Sequence, residues 1–207
     1  MKQFKPYAAE FLGTLILALV AMISPNPLAV GFTLMILVYI FGGISGAHVN
    51  PLITVALMSF KKIKTLDGVY YIIAQVLGGL AGVGIISAIF VAHNQPFTWI
   101  QDGSTISTVG FVAELIAGFI FMMAVSTVAL GKVPSVVSGL VVGGGLVLAL
   151  SLAGGLTPGL DGVISNPAVA IATGNFNLDH LFAPLLGAVL GLGLYAWLSS
   201  DTQKAHN

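Results

Sequence analysis

Six stretches of this chain, near 6–24, 28–47, 67–92, 109–131, 134–154 and 179–199, are almost uninterrupted runs of apolar residues. Each is close to the roughly 20 residues that a helix needs to cross the hydrocarbon of a bilayer. Two further apolar segments, 51–60 and 167–174, are too short to cross. Ten helical residues rise only about 15 Å, half the hydrocarbon thickness. Such a segment either packs outside the bilayer or re-enters it and stops near the middle. Charge agrees with a lipid solvent: only 7% of the 207 residues are charged and 57% are hydrophobic. A soluble domain carries roughly 25% charged residues. The first run, preceded by two lysines, is read as a span rather than a signal peptide, because five comparable runs follow it.

The lysines set an orientation. The chain has no Arg, and its cations are Lys2, Lys5, Lys61, Lys62, Lys64, Lys132 and Lys204. Six spans put all seven, with both termini, on one side, which the positive-inside rule makes cytoplasmic. Asp102, Asp161 and Asp179 fall on the other side, where no lysine lies. With no Cys, the chain has neither disulfide nor thiolate chemistry, and its histidines lack metal-ligand spacing. Zero net charge without a basic patch argues against a nucleic-acid partner. No cofactor is expected. His93, His180 and His206 read as loop or interface residues.

An internal repeat then appears. Gly46-Ala47-His48-Val49-Asn50-Pro51-Leu52 parallels Gly162-Val163-Ile164-Ser165-Asn166-Pro167-Ala168, and each Asn-Pro opens one of the short segments. Upstream of each, one span carries a lone acid, Glu10 or Glu114. A single Asn-Pro would be a turn. Two of them in matching positions read as helix starts, with Asn capping and Pro in the first turn. Three spans per half invert the second half relative to the first, so the short helices approach the midplane from opposite faces. This gives one domain over 1–207, with repeats of about 1–100 and 101–207. A membrane carboxyl can serve proton coupling. The matched positions favour Glu10 and Glu114 as acceptors for unpaired backbone in the Asn-Pro loops. His48 is read as a packing residue beside its loop rather than a gate. Gly42/Gly46, Gly78/Gly82, Gly139/Gly143 and Gly187/Gly191 fit close helix contacts, and Trp99 and Trp197 sit where interface anchors belong.

These motifs carry a family likeness. Ser45-Gly46-Ala47-His48-Val49-Asn50-Pro51-Leu52 and Ser165-Asn166-Pro167-Ala168 resemble the two Asn-Pro-Ala loops of the aquaporins, or major intrinsic proteins. Glu10-Phe11-Leu12-Gly13-Thr14 resembles that family's first-span motif, and the likeness runs the length of the chain. It implies an all-α membrane protein: a right-handed bundle of six transmembrane helices and two re-entrant half-helices, with one pore per subunit in a homotetramer. The lipid bilayer, water and small neutral solutes are the implied partners. The implied activity is passive conduction, not enzymatic catalysis. Asn50, Pro51, Leu52, Asn166, Pro167 and Ala168 would form the pore centre, where each Asn offers an amide N–H₂ to the lumen.

Two departures stand out. Leu52 replaces the usual Ala of the first loop, and Val169 stands where the family nearly always has Arg. By the same correspondence the outer constriction comprises Val30, Val163, Val169 and either Ala153 or Gly154, a ring without charge. Three functions stay open: a facilitative channel for water, glycerol or hydrogen peroxide; a non-conducting member of the fold; and a proton-coupled transporter using Glu10 or Glu114.

Overall fold

The structure, a computed structural model, describes residues 4–96, 107–158 and 162–200. Among these the regular elements are all helical. In chain order they are α1 (Lys5–Ile23), α2 (Pro27–Ser45), α3 (Pro51–Ser59), α4 (Thr65–Ala92) and α5 (Thr108–Ala129). A 3₁₀ turn (Ser135–Val137), α6 (Ser138–Leu156), α7 (Pro167–Ala172), α8 (Leu178–Leu181) and α9 (Ala183–Ser200) complete the series. Among the described residues six helices are long and apolar enough to span, with α8 and α9 together forming the sixth. The break between α8 and α9 falls at Phe182, and Pro184, which has no N–H to donate, follows in the first turn of α9.

Local chemistry starts several helices in the same way. Asn26, Asn50 and Asn166 each adopt an extended backbone, precede a Pro, and accept a backbone N–H on the side-chain oxygen. Pro loses nothing at the first helical position, where its absent N–H would have had no partner. The two short helices hold nine and six residues, and neither reaches across a bilayer.

Packing inverts the pattern of a soluble protein. Leu12, Ile16, Ile36, Ile40, Leu148, Leu152, Leu186 and Leu190 are exposed around the outside, whereas Glu10, Thr14, Gln75 and Glu114 are completely buried. Small residues bring the helices together. A Cβ on Gly78 would collide with the Phe11 carbonyl of α1, and one on Gly187 with the Leu115 carbonyl of α5. Gly139 and Gly143 of α6 meet Met35 and Gly31 of α2 in the same manner. The fourth glycine pair differs. Gly46 ends α2 with φ +88°, and a Cβ on Gly42 would meet only Val38 of its own helix. That pair ends a helix; it is not a helix contact.

The contacts of the two halves mirror each other. Helix α1 packs on α2 and α4, and α5 packs on α6 and α9. Across the halves, α2 packs on α6, α3 on α9, and α7 on α4. Each short helix is thus held by the other half. Lys5, Lys61, Lys62, Lys64 and Lys132 lie at one end of the bundle, where Lys132 Nζ reaches the Ser199 carbonyl at 3.4 Å. Trp197 is exposed at that end. Lys2, Trp99, Asp102, Asp161, Lys204 and His206 lie outside the described residues.

Candidate functional site

The tips of α3 and α7 meet inside the bundle. Asn50 Oδ1 accepts from Leu52 N at 2.9 Å, and Asn166 Oδ1 from Ala168 N at 3.1 Å and Val169 N at 3.4 Å. Each amide nitrogen then reaches the opposite loop. Asn50 Nδ2 donates to the Ser165 carbonyl at 2.8 Å, and Asn166 Nδ2 to the Val49 carbonyl at 3.1 Å. This corrects the expectation of two free amide groups. One of the two N–H bonds on each side chain joins the halves, and one is left for the lumen.

The loops before the short helices are bent into left-handed backbone. Ala47, Val49 and Ser165 have φ of +48°, +43° and +46°. For β-branched Val49 this is a true outlier, persisting only where surrounding bonds over-determine it. They do. Val49 N donates to Glu10 Oε2 at 2.6 Å while its carbonyl holds Asn166. Glu10 also accepts from His48 N at 2.9 Å, Ser45 Oγ at 2.5 Å and Gln75 Nε2 at 2.7 Å. In the second half Glu114 takes Ile164 N at 2.6 Å, Ser165 N at 2.9 Å and Ser165 Oγ at 2.8 Å. Nδ1 of His180 stands 2.7 Å from the same carboxylate. His180 is therefore not a loop or interface residue: it is 4% exposed and part of this support. Asp179 beside it is buried too and accepts from Ser107 N at 2.8 Å, at the start of α5.

Ser45, Gln75 and His180 hold the two carboxyls, a role the sequence assigned to none of them. A polar amide inside an apolar span was the available signal for Gln75. His48 packs edge-on against Tyr71 at 5.1 Å and lies 3.1 Å, Nδ1 to Oγ1, from Thr54. Among the described residues no group of three His, Cys, Asp or Glu could hold a metal.

Two cavities approach the Asn pair from opposite ends. The first, about 490 Å³, begins among Met22, Pro25 and Asn26 and continues to Asn50 and Asn166. Val30, Val163, Val169 and Gly154 lie along its wall. Ala153, the alternative to Gly154, is fully buried. The second cavity, about 470 Å³, opens at the lysine end beside Lys62, Ser135 and Ser138 and reaches His48 and Ile53. Pro51, Leu52, Pro167 and Ala168 are buried and line neither cavity; they shape the short helices from behind.

The sequence matches the family model of the major intrinsic proteins over residues 1–195. The chain belongs to the major intrinsic protein family. Members of this family are membrane channels rather than enzymes, and this major intrinsic protein is an integral, multi-pass one. It is 33% identical over 203 residues to glycerol uptake facilitator protein-like 6 of Lactiplantibacillus plantarum, covering 90% of this chain and 94% of that one. To aquaporin AqpM of Methanothermobacter marburgensis the identity is 29%, with coverage of 93% and 96%. Rice aquaporin NIP3-1 (Oryza sativa subsp. japonica) is 28% identical; the match covers 90% of this chain and 66% of the plant protein. In fold, the chain is similar to the crystal structure of the aquaglyceroporin from Plasmodium falciparum. The TM-score is 0.69 at 20% identity, and 99% of this chain and 98% of that chain are covered.

Proposed function

We propose that this major intrinsic protein is a passive channel for water and small uncharged solutes such as glycerol or hydrogen peroxide, with an apolar outer ring. One observation carries the reading: a cavity runs past Val30, Gly154, Val163 and Val169 without interruption and ends at the paired amides of Asn50 and Asn166. The remaining N–H of each Asn offers a donor to a solute oxygen. The positive ends of the α3 and α7 dipoles point to the same place and oppose a cation. No charged side chain lines this cavity among the described residues, so the outer ring presents no fixed charge to a solute.

The carboxylates support this reading over coupled transport. Both oxygens of Glu10 and of Glu114 accept hydrogen bonds from the loops they hold, and neither side chain lines a cavity. In this reading residues 1–100 and 101–207 form an inverted repeat within one domain. The lysine end and both termini face the cytoplasm, and four copies assemble in the plasma membrane. Stopped-flow light scattering on proteoliposomes tests the function with water, glycerol, urea and hydrogen peroxide. Flux that needs no proton gradient is expected. Its absence from a well-folded protein identifies a non-conducting member of the fold, and proton-dependent flux a coupled transporter.

A further inference from the structure

Among the described residues none lines both cavities, yet the same two helix faces line each of them. On α2, Leu34 borders the first cavity and Val38, four residues on, borders the second. On α6, Leu146 borders the first and Val142, four residues before it, the second. Residues four apart on a helix share one face and differ by about one turn, roughly 5.4 Å along the axis. The two cavities therefore follow a single line down the bundle, interrupted for about one turn beside the Asn pair.

What borders the interruption is apolar: Leu34 is 1% exposed, Leu146 4% and Val142 5%, and Val38 is half-buried. The outer ring of Val30, Gly154, Val163 and Val169 lies wholly along the first cavity, whereas the waist is divided, with Leu34 and Leu146 on the first cavity and Val38 and Val142 on the second. Resting on the channel reading above, we propose that the size filter of this chain is the midplane waist formed by Leu34, Val38, Val142 and Leu146, and not the ring around Val169. The waist has two unlike walls. Asn50 and Asn166 supply the donors on one side, and branched aliphatic groups on the other offer none. A solute must keep its oxygen on the amides while its far side slides over hydrocarbon, so its width against the aliphatic wall decides passage.

The absence of Cys from the chain lets a single introduced thiol be modified selectively. Single cysteines are placed at Leu146, Val142, Val30 and Val169. Each folded protein is reconstituted and then treated with methyl methanethiosulfonate, which attaches one methylthio group to the thiol and releases methanesulfinate. Dithiothreitol removes it. Modification at 146 or 142 is expected to lower water and glycerol flux by about tenfold, reversibly, because added bulk in a narrow pore blocks it. Modification at 30 or 169 is expected to change both by less than about twofold, since the cavity there has room. Leu146→Ala, which widens the waist, is expected to raise the glycerol-to-water ratio.

The reverse pattern, with block at 30 or 169 and none at 142 or 146, overturns the waist. The two readings fail separately. If the unmodified protein conducts nothing but Leu146→Ala conducts, the open-channel reading falls and the waist stands as the closure. If every variant conducts and only the outer positions respond, the channel stands and the waist falls. If no variant conducts, both fall.

Discussion

Nδ1 of His180 stands 2.7 Å from Oε1 of Glu114, with both side chains buried. The first half holds its carboxylate differently, with the Gln75 amide donating to Glu10 at 2.7 Å. Replacing His180 by Ala leaves the buried Glu114 carboxyl without one of its partners and is expected to cost roughly 1–3 kcal/mol. His180→Gln supplies the kind of donor that Gln75 provides in the other half, and is expected to recover most of that loss. Thermal unfolding in detergent measures both. Equal unfolding temperatures for His180→Ala and the parent would show that the contact contributes nothing.

Asn166→Ala removes the cap on α7 and the link between the halves at once. The cap on α7 is worth roughly 1 kcal/mol, and the link to the Val49 carbonyl at 3.1 Å is lost with it. Lower stability and lower water flux are expected together. Normal flux from a normally folded Asn166→Ala protein would remove Asn166 from the conduction path.

Val169 adds no donor to the outer wall. Val169→Arg adds a fixed cation and narrows the cavity above the amides. Glycerol flux should fall more than water flux, and cation leak should fall as well. An unchanged glycerol-to-water ratio would mean that residue 169 does not face the passing solute.

Two glycines of one composition should behave oppositely. A Cβ at Gly187 would overlap the Leu115 backbone, which cannot yield, so Gly187→Ala should destabilise by about 1–3 kcal/mol. At Gly144 nothing lies within 4 Å, and Gly144→Ala should be neutral or stabilising through helix propensity alone. Unfolding temperatures of the pair decide; a stable Gly187→Ala would refute the close α5–α9 contact.

The membrane map has its own test. Cysteines at Lys132 and Lys62 should label from the same side, and one at Asp102 from the other. Labelling of Lys132 and Asp102 from a single side would require a different number of crossings.

The span map was legible because a bilayer dictates length, and length needs no knowledge of neighbours. The paired Asn-Pro starts were legible for the same reason: a cap followed by Pro is local chemistry. The support around the loops was not. Ser45 and Gln75 reach Glu10 from 35 and 65 residues away in sequence, and nothing periodic announces a convergence of that kind. His180 lay at the edge of a span and looked like a loop residue. The acceptors of the Asn amides are backbone carbonyls, which every residue possesses, so no side-chain pattern could name Ser165 or Val49. Gly42 and Gly46 share the spacing of the other pairs, and only the left-handed backbone at Gly46 sets them apart.

The crossed bonds from Asn50 to Ser165 and from Asn166 to Val49 also bear on how such a chain is made. A ribosome delivers Asn50 long before Ser165. Until the later segment arrives, Asn50 Nδ2 and the Val49 carbonyl lack the partners they have in the folded protein, while the bonds of His48 N and Val49 N to Glu10 are already within reach. The two crossed bonds can form only after the second re-entrant helix has entered, so they belong to a late step of biogenesis.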